Sequence, residues 1–112
     1  MVLRLSSYVD FRAGISMHPS HSGICAMLGV DEEKLLKETL CPQLFLSAGD
    51  DHENTKIGGL AKKVLTDGLE VIEFPDMNHG WTNKGDLSRP EVERDIRKAS
   101  NFTLAFFGKY LH

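Results

Sequence analysis

Residues 43–51 read Gln-Leu-Phe-Leu-Ser-Ala-Gly-Asp-Asp, an apolar run that ends in a cluster of turn-forming residues. The run follows Pro42, and proline is tolerated where a strand begins. Glycine and aspartate favour a turn because glycine tolerates unusual backbone angles and aspartate bonds to nearby backbone groups. We therefore predict a β-strand over residues 43–48, with two carboxylates, Asp50 and Asp51, directly beyond its carboxyl end.

Two further apolar runs flank this strand along the chain. Residues 13–17 are predicted to form a buried strand that stops at His18 and Pro19. Residues 69–74 are predicted to form a third strand that stops at Pro75. The chain therefore contains three short strands, separated by segments of different character.

Helical patterns fill the segments between these strands. A short helix is predicted after the capping residue Asp31, with Leu35 and Leu36 facing inward. A longer helix is predicted from about residue 54 to residue 66, because its apolar residues recur at the spacing of one helix face. These residues are Ile57, Leu60, Ala61, Val64 and Leu65. Gly68 is expected to end this helix in a left-handed conformation.

A last helix is expected near the carboxyl end of the chain. It follows Ser88-Arg89-Pro90-Glu91, which has the pattern of a capping box with proline near the helix start. Its predicted inward face consists of Val92, Ile96, Ala99, Phe106 and Tyr110. The remaining segments are interpreted as a helix end over residues 2–8 and as loops over residues 20–30 and 76–87.

The order of these elements predicts the fold class. Strands that alternate with helices are typical of βαβ units, in which right-handed crossovers place the strands side by side and parallel. A chain of 112 residues fits one small domain. We predict a single α/β domain over residues 1–112, with a short parallel sheet between two layers of helices.

The composition of the chain limits the kinds of partner and the cellular compartment that are expected. The formal net charge is −3 at pH 7 and the basic residues are scattered, so neither nucleic acid nor an anionic membrane is expected as a partner. No apolar run approaches the roughly 18 residues that span a bilayer. The apolar stretch within residues 1–7 is too short for a signal peptide. Cys25 and Cys41 could pair, but reduced thiols in a cytoplasmic protein are the simpler expectation. No cofactor is expected.

Polar clusters follow the second and the third predicted strand. Asp50 and Asp51 follow the second, and Asn78-His79-Gly80 follows the third. Function in a parallel sheet collects at the carboxyl ends of the strands, so an acid and a histidine in these two loops are expected to meet. A carboxylate there would hold the imidazole in one tautomer and stabilise its cation. His79 would then serve as a general base, since histidine as a residue type titrates near neutral pH.

At this point the sequence resembles the dienelactone hydrolase family of α/β-hydrolases. The resemblance lies in three stretches, residues 41–51, 74–81 and 86–111, and covers essentially the whole chain. It implies a doubly wound α/β sheet and the hydrolysis of a small ester or lactone substrate by a Cys-Asp-His or Ser-Asp-His triad. Carried over to this chain, it implies that Asp51 is the acid and His79 the base. Asp51 is preferred over Asp50 because the family places one residue between the turn glycine and the acid.

The chain departs from the family at the nucleophile. The family nucleophile sits on a G-x-C-x-G elbow, and no such motif occurs here. We therefore expect the C-terminal part of a hydrolase fold, with acid and base but without a nucleophile, and little or no activity when alone. Gly23-Ile24-Cys25 matches the first half of the elbow, but Met27 stands where the second glycine belongs. Cys25 is more simply a half-buried loop thiol.

Structural interpretations stand beside each of these functional ones. Asp51 is also suited to cap the following helix, and His79 to bond a backbone carbonyl in its loop. His18 and His21 form an H-x-x-H pattern, but no third ligand is evident and no metal site is expected. His52 beside the acid is expected to be solvated or to line the pocket. Trp81 is expected either to contact a substrate or to anchor its loop.

The second functional hypothesis is a non-catalytic interaction module. The edge of the first strand is unprotected, and such edges pair readily with another chain. In this hypothesis the chain forms a homodimer through that edge or docks to a separate N-terminal half.

Overall fold

The computed structural model describes Leu3 and residues 11–111. Three parallel strands form a sheet in the order β1 (Gly14–Met17), β2 (Gln43–Ala48) and β3 (Leu69–Phe74). The predicted short parallel sheet of an α/β fold is therefore confirmed, and the bounds of β2 and β3 are those predicted. The helix end expected over residues 2–8 lies outside the described residues, except for Leu3, which is helical and buried.

Helices occupy much of the remaining chain that the structure describes. They are α1 (His21–Leu28), α2 (Glu32–Lys37), α3 (Leu60–Leu65), α4 (Trp81–Lys84) and α5 (Pro90–Tyr110). Two further segments, Glu53–Thr55 and Thr66–Gly68, form single 3₁₀ turns. α2 begins as predicted, because the carboxylate of Asp31 accepts a hydrogen bond from the backbone N–H of Lys34 at 3.2 Å.

The sheet lies between two layers of helices, as predicted. All six residues of β2 are buried, and alternate residues of a strand point to opposite faces. On one face Leu44, Leu46 and Ala48 form an apolar cluster with α5, to which that helix contributes Val92, Ala99 and Phe106. On the other face Phe45 belongs to a second cluster with residues of α1, α2 and α3, namely Cys25, Leu35, Leu36 and Ala61.

The strands end close to one another at the edge of the sheet that carries the polar loops. The register of β2 and β3 pairs Ala48 with Phe74, so both strands stop at the same level. β1 reaches Met17 opposite Leu46, two residues short of that level. The segments that follow the three strands therefore leave the sheet side by side.

Residues 20–30, predicted as a loop, contain the helix α1. This helix buries His21, Ser22 and Cys25, and it ends at Gly29, which adopts a left-handed conformation with φ of 68°. Its local sequence signal is weak because no side chain caps its start and because a glycine interrupts it. Burial of one face against the sheet stabilises a helix that its own sequence scarcely favours.

The helix predicted over residues 54–66 is shorter in the structure. α3 begins only at Leu60, after a 3₁₀ turn and the N-cap residue Gly59. A Cβ built on Gly59 would overlap the backbone carbonyl of Glu53, so this glycine allows the chain to fold back on itself before the helix starts. Ile57, predicted to face inward, consequently lies outside the helix and is 57 % exposed, whereas Ala61 is buried as expected.

Two predicted helix boundaries are also wrong in detail. Gly68 does not take the left-handed conformation; the residue with a positive φ at this helix end is Thr66, with φ of 47° and ψ of −117°. At the start of α5 the capping box does not form, because the hydroxyl of Ser88 donates to the carboxylate of Asp86 at 2.6 Å instead. Arg89 occupies the N-cap position without a side-chain cap, and the predicted proline at the helix start is confirmed.

Candidate active site

The loop after β2 folds tightly around the carboxylate of Asp51. Oδ2 of Asp51 accepts a hydrogen bond from the backbone N–H of Ala48 at 2.7 Å. The backbone N–H of Asp51 in turn donates to the carbonyl of Ala48 at 3.2 Å. The side chain of Asp51 is 1 % exposed. One oxygen of the acid is therefore anchored to the last residue of the strand, which leaves Oδ1 free to act on another group.

The loop after β3 is joined to this acid loop by two hydrogen bonds, each of them donated by a backbone N–H. The N–H of Gly49 donates to the carbonyl of Met77 at 2.8 Å. The N–H of His79 donates to Oδ1 of Asp50 at 2.6 Å. These contacts hold the two loops together, so the position of the histidine depends on the acid loop.

The structure brings together the two residues predicted as acid and base. Oδ1 of Asp51 lies 2.7 Å from Nδ1 of His79. Because a carboxylate accepts hydrogen bonds, this contact favours the tautomer in which Nδ1 carries the proton and Nε2 has a free lone pair. Asp50 contacts the backbone of His79 and not its ring, so the choice of Asp51 over Asp50 as the partner of the imidazole agrees with the geometry.

A cavity of about 340 Å³ opens beside His79. Its wall includes β1 residues such as Ile15 and Met17, together with the rings of His18 and His21. The His79 side chain is 46 % exposed. The volume is within the usual range of roughly 300–1,000 Å³ for small-ligand sites, and the imidazole of His79 is accessible from it.

His18 and His21, the H-x-x-H pair, have different surroundings. The ring of His18 packs against the ring of His79, with centroids 4.7 Å apart and planes at 75°. His21 is buried, packs on Phe45 at 5.4 Å between centroids and has Nε2 3.2 Å from the carboxylate of Glu32. Among residues 11–111 and Leu3, no group of three or more potential ligands is placed to hold a metal ion.

Glu32 forms a polar centre that the sequence analysis missed. Besides the contact with His21, it accepts hydrogen bonds from the hydroxyl of Ser22 at 2.5 Å and from Nδ2 of Asn54 at 3.1 Å. Burial is the main cause that lowers the pKa of His21, and Glu32 opposes this effect by raising it. The centre links α1 and α2 to the segment just after Asp51, and no local pattern signals a contact over such sequence separations.

Cys25 is not arranged as a nucleophile. It lies on α1 within the apolar cluster, and burial, followed by the negative charges of Glu32 and Asp31, raises the pKa of its thiol. It lines a different cavity from the one beside His79. A protonated thiol is a poor nucleophile. Cys41 is also a buried free thiol, and it accepts a hydrogen bond from Nε2 of Gln43 at 3.3 Å.

Trp81 and His52, the remaining candidates near the site, make contacts that stabilise their own loops. Trp81 is buried at the start of α4 and packs on Phe74 with centroids 4.7 Å apart, which matches the interpretation as a loop anchor. His52 is exposed, and its Nδ1 accepts a hydrogen bond from the backbone of Asn54 at 3.1 Å. Trp81 does not line the 340 Å³ cavity, but it lines a second cavity of about 240 Å³ together with His79; His52 lines neither of the two.

Comparison with known proteins gives no relative for this chain: no family model, curated protein or solved structure matches it. The resemblance to dienelactone hydrolases therefore remains a prediction. None of the described helices combines the length and the apolar character that crossing a membrane requires.

Proposed function

We propose that this chain carries the acid and the base of an ester or lactone hydrolase of the dienelactone hydrolase type. The supporting observation is the 2.7 Å contact between a buried carboxylate, Asp51, and the half-exposed imidazole of His79. The acid follows one parallel strand and the histidine follows its neighbour, which is the order that α/β-hydrolases use. The cavity beside His79 has room for a small ester or lactone.

In this proposal the imidazole of His79 moves the protons of acyl transfer. Nε2 takes the proton from a thiol or hydroxyl as that group attacks the ester carbonyl, and the imidazolium then returns the proton to the departing alkoxide. In the second half of the reaction, Nε2 takes a proton from water while the water oxygen attacks the acyl carbon. The bond between that carbon and the nucleophile then breaks, the acid is released, and the imidazolium returns its proton to the sulfur or oxygen of the nucleophile. Asp51 orients the ring and stabilises its cation throughout.

We assign the nucleophile to a segment that pairs with the edge of β1 opposite β2, which no described strand occupies. Cys25 is unsuitable because its thiol is buried, which raises its pKa, and because it lines a different cavity from the one beside His79. β1 leads at its carboxyl end to His18, whose ring touches His79. A strand added beside β1 in parallel would end near the same imidazole, as the neighbouring strands do. Without that strand we expect little or no turnover of an ester.

An added thiol tests this proposal because it replaces the missing nucleophile. We expect the protein to accelerate acyl transfer from p-nitrophenyl acetate to 2-mercaptoethanol at pH 7.5, because general-base catalysis contributes about 10²–10⁴-fold. His79→Ala should abolish the acceleration, and Asp51→Asn should remove most of it by releasing the orientation of the ring. Initial rates at several protein and thiol concentrations measure the effect.

The exposed neighbour His52 supplies the matched control. His52→Ala removes an imidazole from the adjacent surface and should leave the acceleration intact. Equal rates for His79→Ala and the wild-type protein, or equal losses in both histidine variants, would contradict the proposal. Turnover of the ester without added thiol, abolished by His79→Ala, would overturn the assignment of the nucleophile to another segment.

The second proposal, an interaction module, is supported by the difference between the two edges of the sheet. Among the described residues, β1 and β3 each pair on one side only. β3 carries Glu70 and Glu73, and charges of this kind protect an edge. β1, with the sequence Gly-Ile-Ser-Met, carries no charge. This edge is therefore the one suited to pair with another chain.

Molecular mass in solution distinguishes this second proposal. We expect light scattering during size-exclusion chromatography to give a dimer whose population rises with protein concentration. Ile15→Lys places a charge on β1 and should shift the equilibrium to the monomer, whereas Ile72→Lys on β3 should not. A monomer at all concentrations would exclude the homodimer.

A further inference from the structure

His18 occupies an unusual position at the end of β1. Its backbone N–H donates to the carbonyl of Leu46 at 2.7 Å, which continues the pairing of β1 with β2 by one residue. Its φ is 44°, in the left-handed region. Among the described residues other than glycine, Thr66 is the other one with a positive φ. The chain is thus held to the sheet and turned sharply at one residue.

This backbone conformation is costly for most side chains. Residues with a Cβ adopt positive φ rarely, although asparagine, aspartate and histidine do so more readily than others. Such conformations persist where the surrounding structure enforces them, and they are concentrated at functional sites. At His18 the turn directs the imidazole against the ring of His79, with centroids 4.7 Å apart.

His79 needs a second contact if its ring is to keep one orientation. Within the described part of the chain, the hydrogen bond from Nδ1 to Asp51 and the ring contact with His18 are its polar and aromatic side-chain contacts. A half-exposed ring that is held by a single hydrogen bond can break it by rotation about its χ1 and χ2 bonds. A perpendicular ring packed against it restricts this rotation.

The electrostatic surroundings suit His18 to this role. Burial lowers the pKa of His18, the charge of His79 lowers it further, and Asp51 raises it. The lowered pKa favours the neutral form of His18, which adds no positive charge next to His79. A neutral ring can support the imidazole of His79 without opposing its protonation.

We propose that His18 is a positioning residue, whose ring packs edge to face with that of His79 and keeps Nδ1 of His79 on Asp51. The inference rests on the proposed function only in taking His79 as the base. The ring contact itself is independent of any reaction. In a reaction, loss of the contact would leave Asp51 and His79 present but poorly aligned.

Imidazole ¹⁵N–¹H correlation spectra at neutral pH test this inference without an activity assay. We expect the wild-type protein to show His79 mainly as the Nδ1-protonated tautomer. His18→Asn removes the ring and keeps a residue that tolerates the left-handed conformation. This change should lower the ratio of the Nδ1-protonated to the Nε2-protonated tautomer of His79 by about 2- to 12-fold. That is the effect expected from the loss of one contact between two aromatic rings. His18→Phe keeps a ring, at some cost in stability because phenylalanine adopts positive φ less readily than histidine, and should restore the wild-type ratio.

Two controls separate positioning from a general loss of structure. Thr66→Asn changes the other residue with positive φ and should leave the His79 tautomer ratio unchanged. If His18→Asn fails to fold, the wild-type contact is measured through the titration of His18 instead. His79→Gln should raise the pKa of His18, because it removes the neighbouring positive charge, and Asp51→Asn should lower it.

The outcomes distinguish this inference from the proposed function. A wild-type His79 without the Nδ1-protonated tautomer would contradict the proposed acid–base pair itself. An intact pair that His18→Asn leaves unchanged would overturn only the role of His18. A His18→Phe variant that behaves like His18→Asn would also overturn it, since ring packing would then not be the cause.

Discussion

Replacing Phe45 by alanine is expected to lower the free energy of unfolding by about 3–5 kcal/mol. Phe45 lies in the middle of β2, is fully buried and packs on the ring of His21. Removing the ring leaves a cavity between the sheet and the helices on that face, and surrounding atoms fill such a cavity only in part. Urea unfolding followed by the fluorescence of Trp81, the single tryptophan, measures the change.

This loss is large compared with the stability of a small domain. Such domains are stable by roughly 5–15 kcal/mol in total, so Phe45→Ala should leave a substantial unfolded fraction under mild conditions. Phe102→Ala is the matched control, since Phe102 lies on α5 and is 37 % exposed. Its cost should be about 1 kcal/mol or less. A similar loss of unfolding free energy in the two variants would show that the core does not depend on β2.

Replacing Gly49 by alanine is the second change with a large expected effect. Gly49 lies where the loop after β2 meets the loop after β3, and a Cβ built there would overlap the carbonyl oxygen of Pro75. Forcing a methyl group into such a contact costs about 1–3 kcal/mol. The two loops must separate, so the hydrogen bond between Asp51 and His79 should weaken as well. Unfolding experiments and the ¹⁵N spectrum of His79 measure the two effects.

Gly108 supplies a control of opposite sign. It lies on the exposed side of α5, and a Cβ there meets no atom within 4 Å. Gly108→Ala should therefore stabilise the protein by about 0.5–1 kcal/mol, because alanine favours a helix and glycine does not. Destabilisation by both substitutions, or an unchanged Asp51–His79 pair in Gly49→Ala, would contradict the close approach of the two loops.

The local sequence was sufficient to predict a helix or strand wherever that element had a strong sequence pattern of its own. β2 and β3 are predicted with their observed bounds because β2 is an apolar run closed by glycine, and β3 is a mainly apolar segment closed by proline. The inward face of α5 was also predicted, since Val92, Ala99 and Phe106 are buried, and Ile96 and Tyr110 pack against them. In these segments the residues that favour the strand or helix locally are the same residues whose side chains are buried in the core.

Sequence reasoning failed where a contact with a distant segment decides the local conformation. α1 was predicted as a loop because its own propensity is weak, and only packing against the sheet stabilises it. α3 starts late because Gly59 lies against Glu53. The network around Glu32 joins residues more than 20 positions apart, such as Glu32 and Asn54. None of these contacts leaves a periodic pattern in the chain.

The amino-acid sequence alone determined that an acid and a histidine would follow neighbouring strands, because parallel strands send the loops at their carboxyl ends to one edge of the sheet. It therefore placed Asp51 and His79 near each other. The tertiary structure decided how they meet, since two hydrogen bonds set the alignment of the two loops: from the N–H of Gly49 to the carbonyl of Met77, and from the N–H of His79 to the carboxylate of Asp50. It also decided that His18 touches His79, because that contact depends on one left-handed residue and on strand register, which no spacing of residue types encodes.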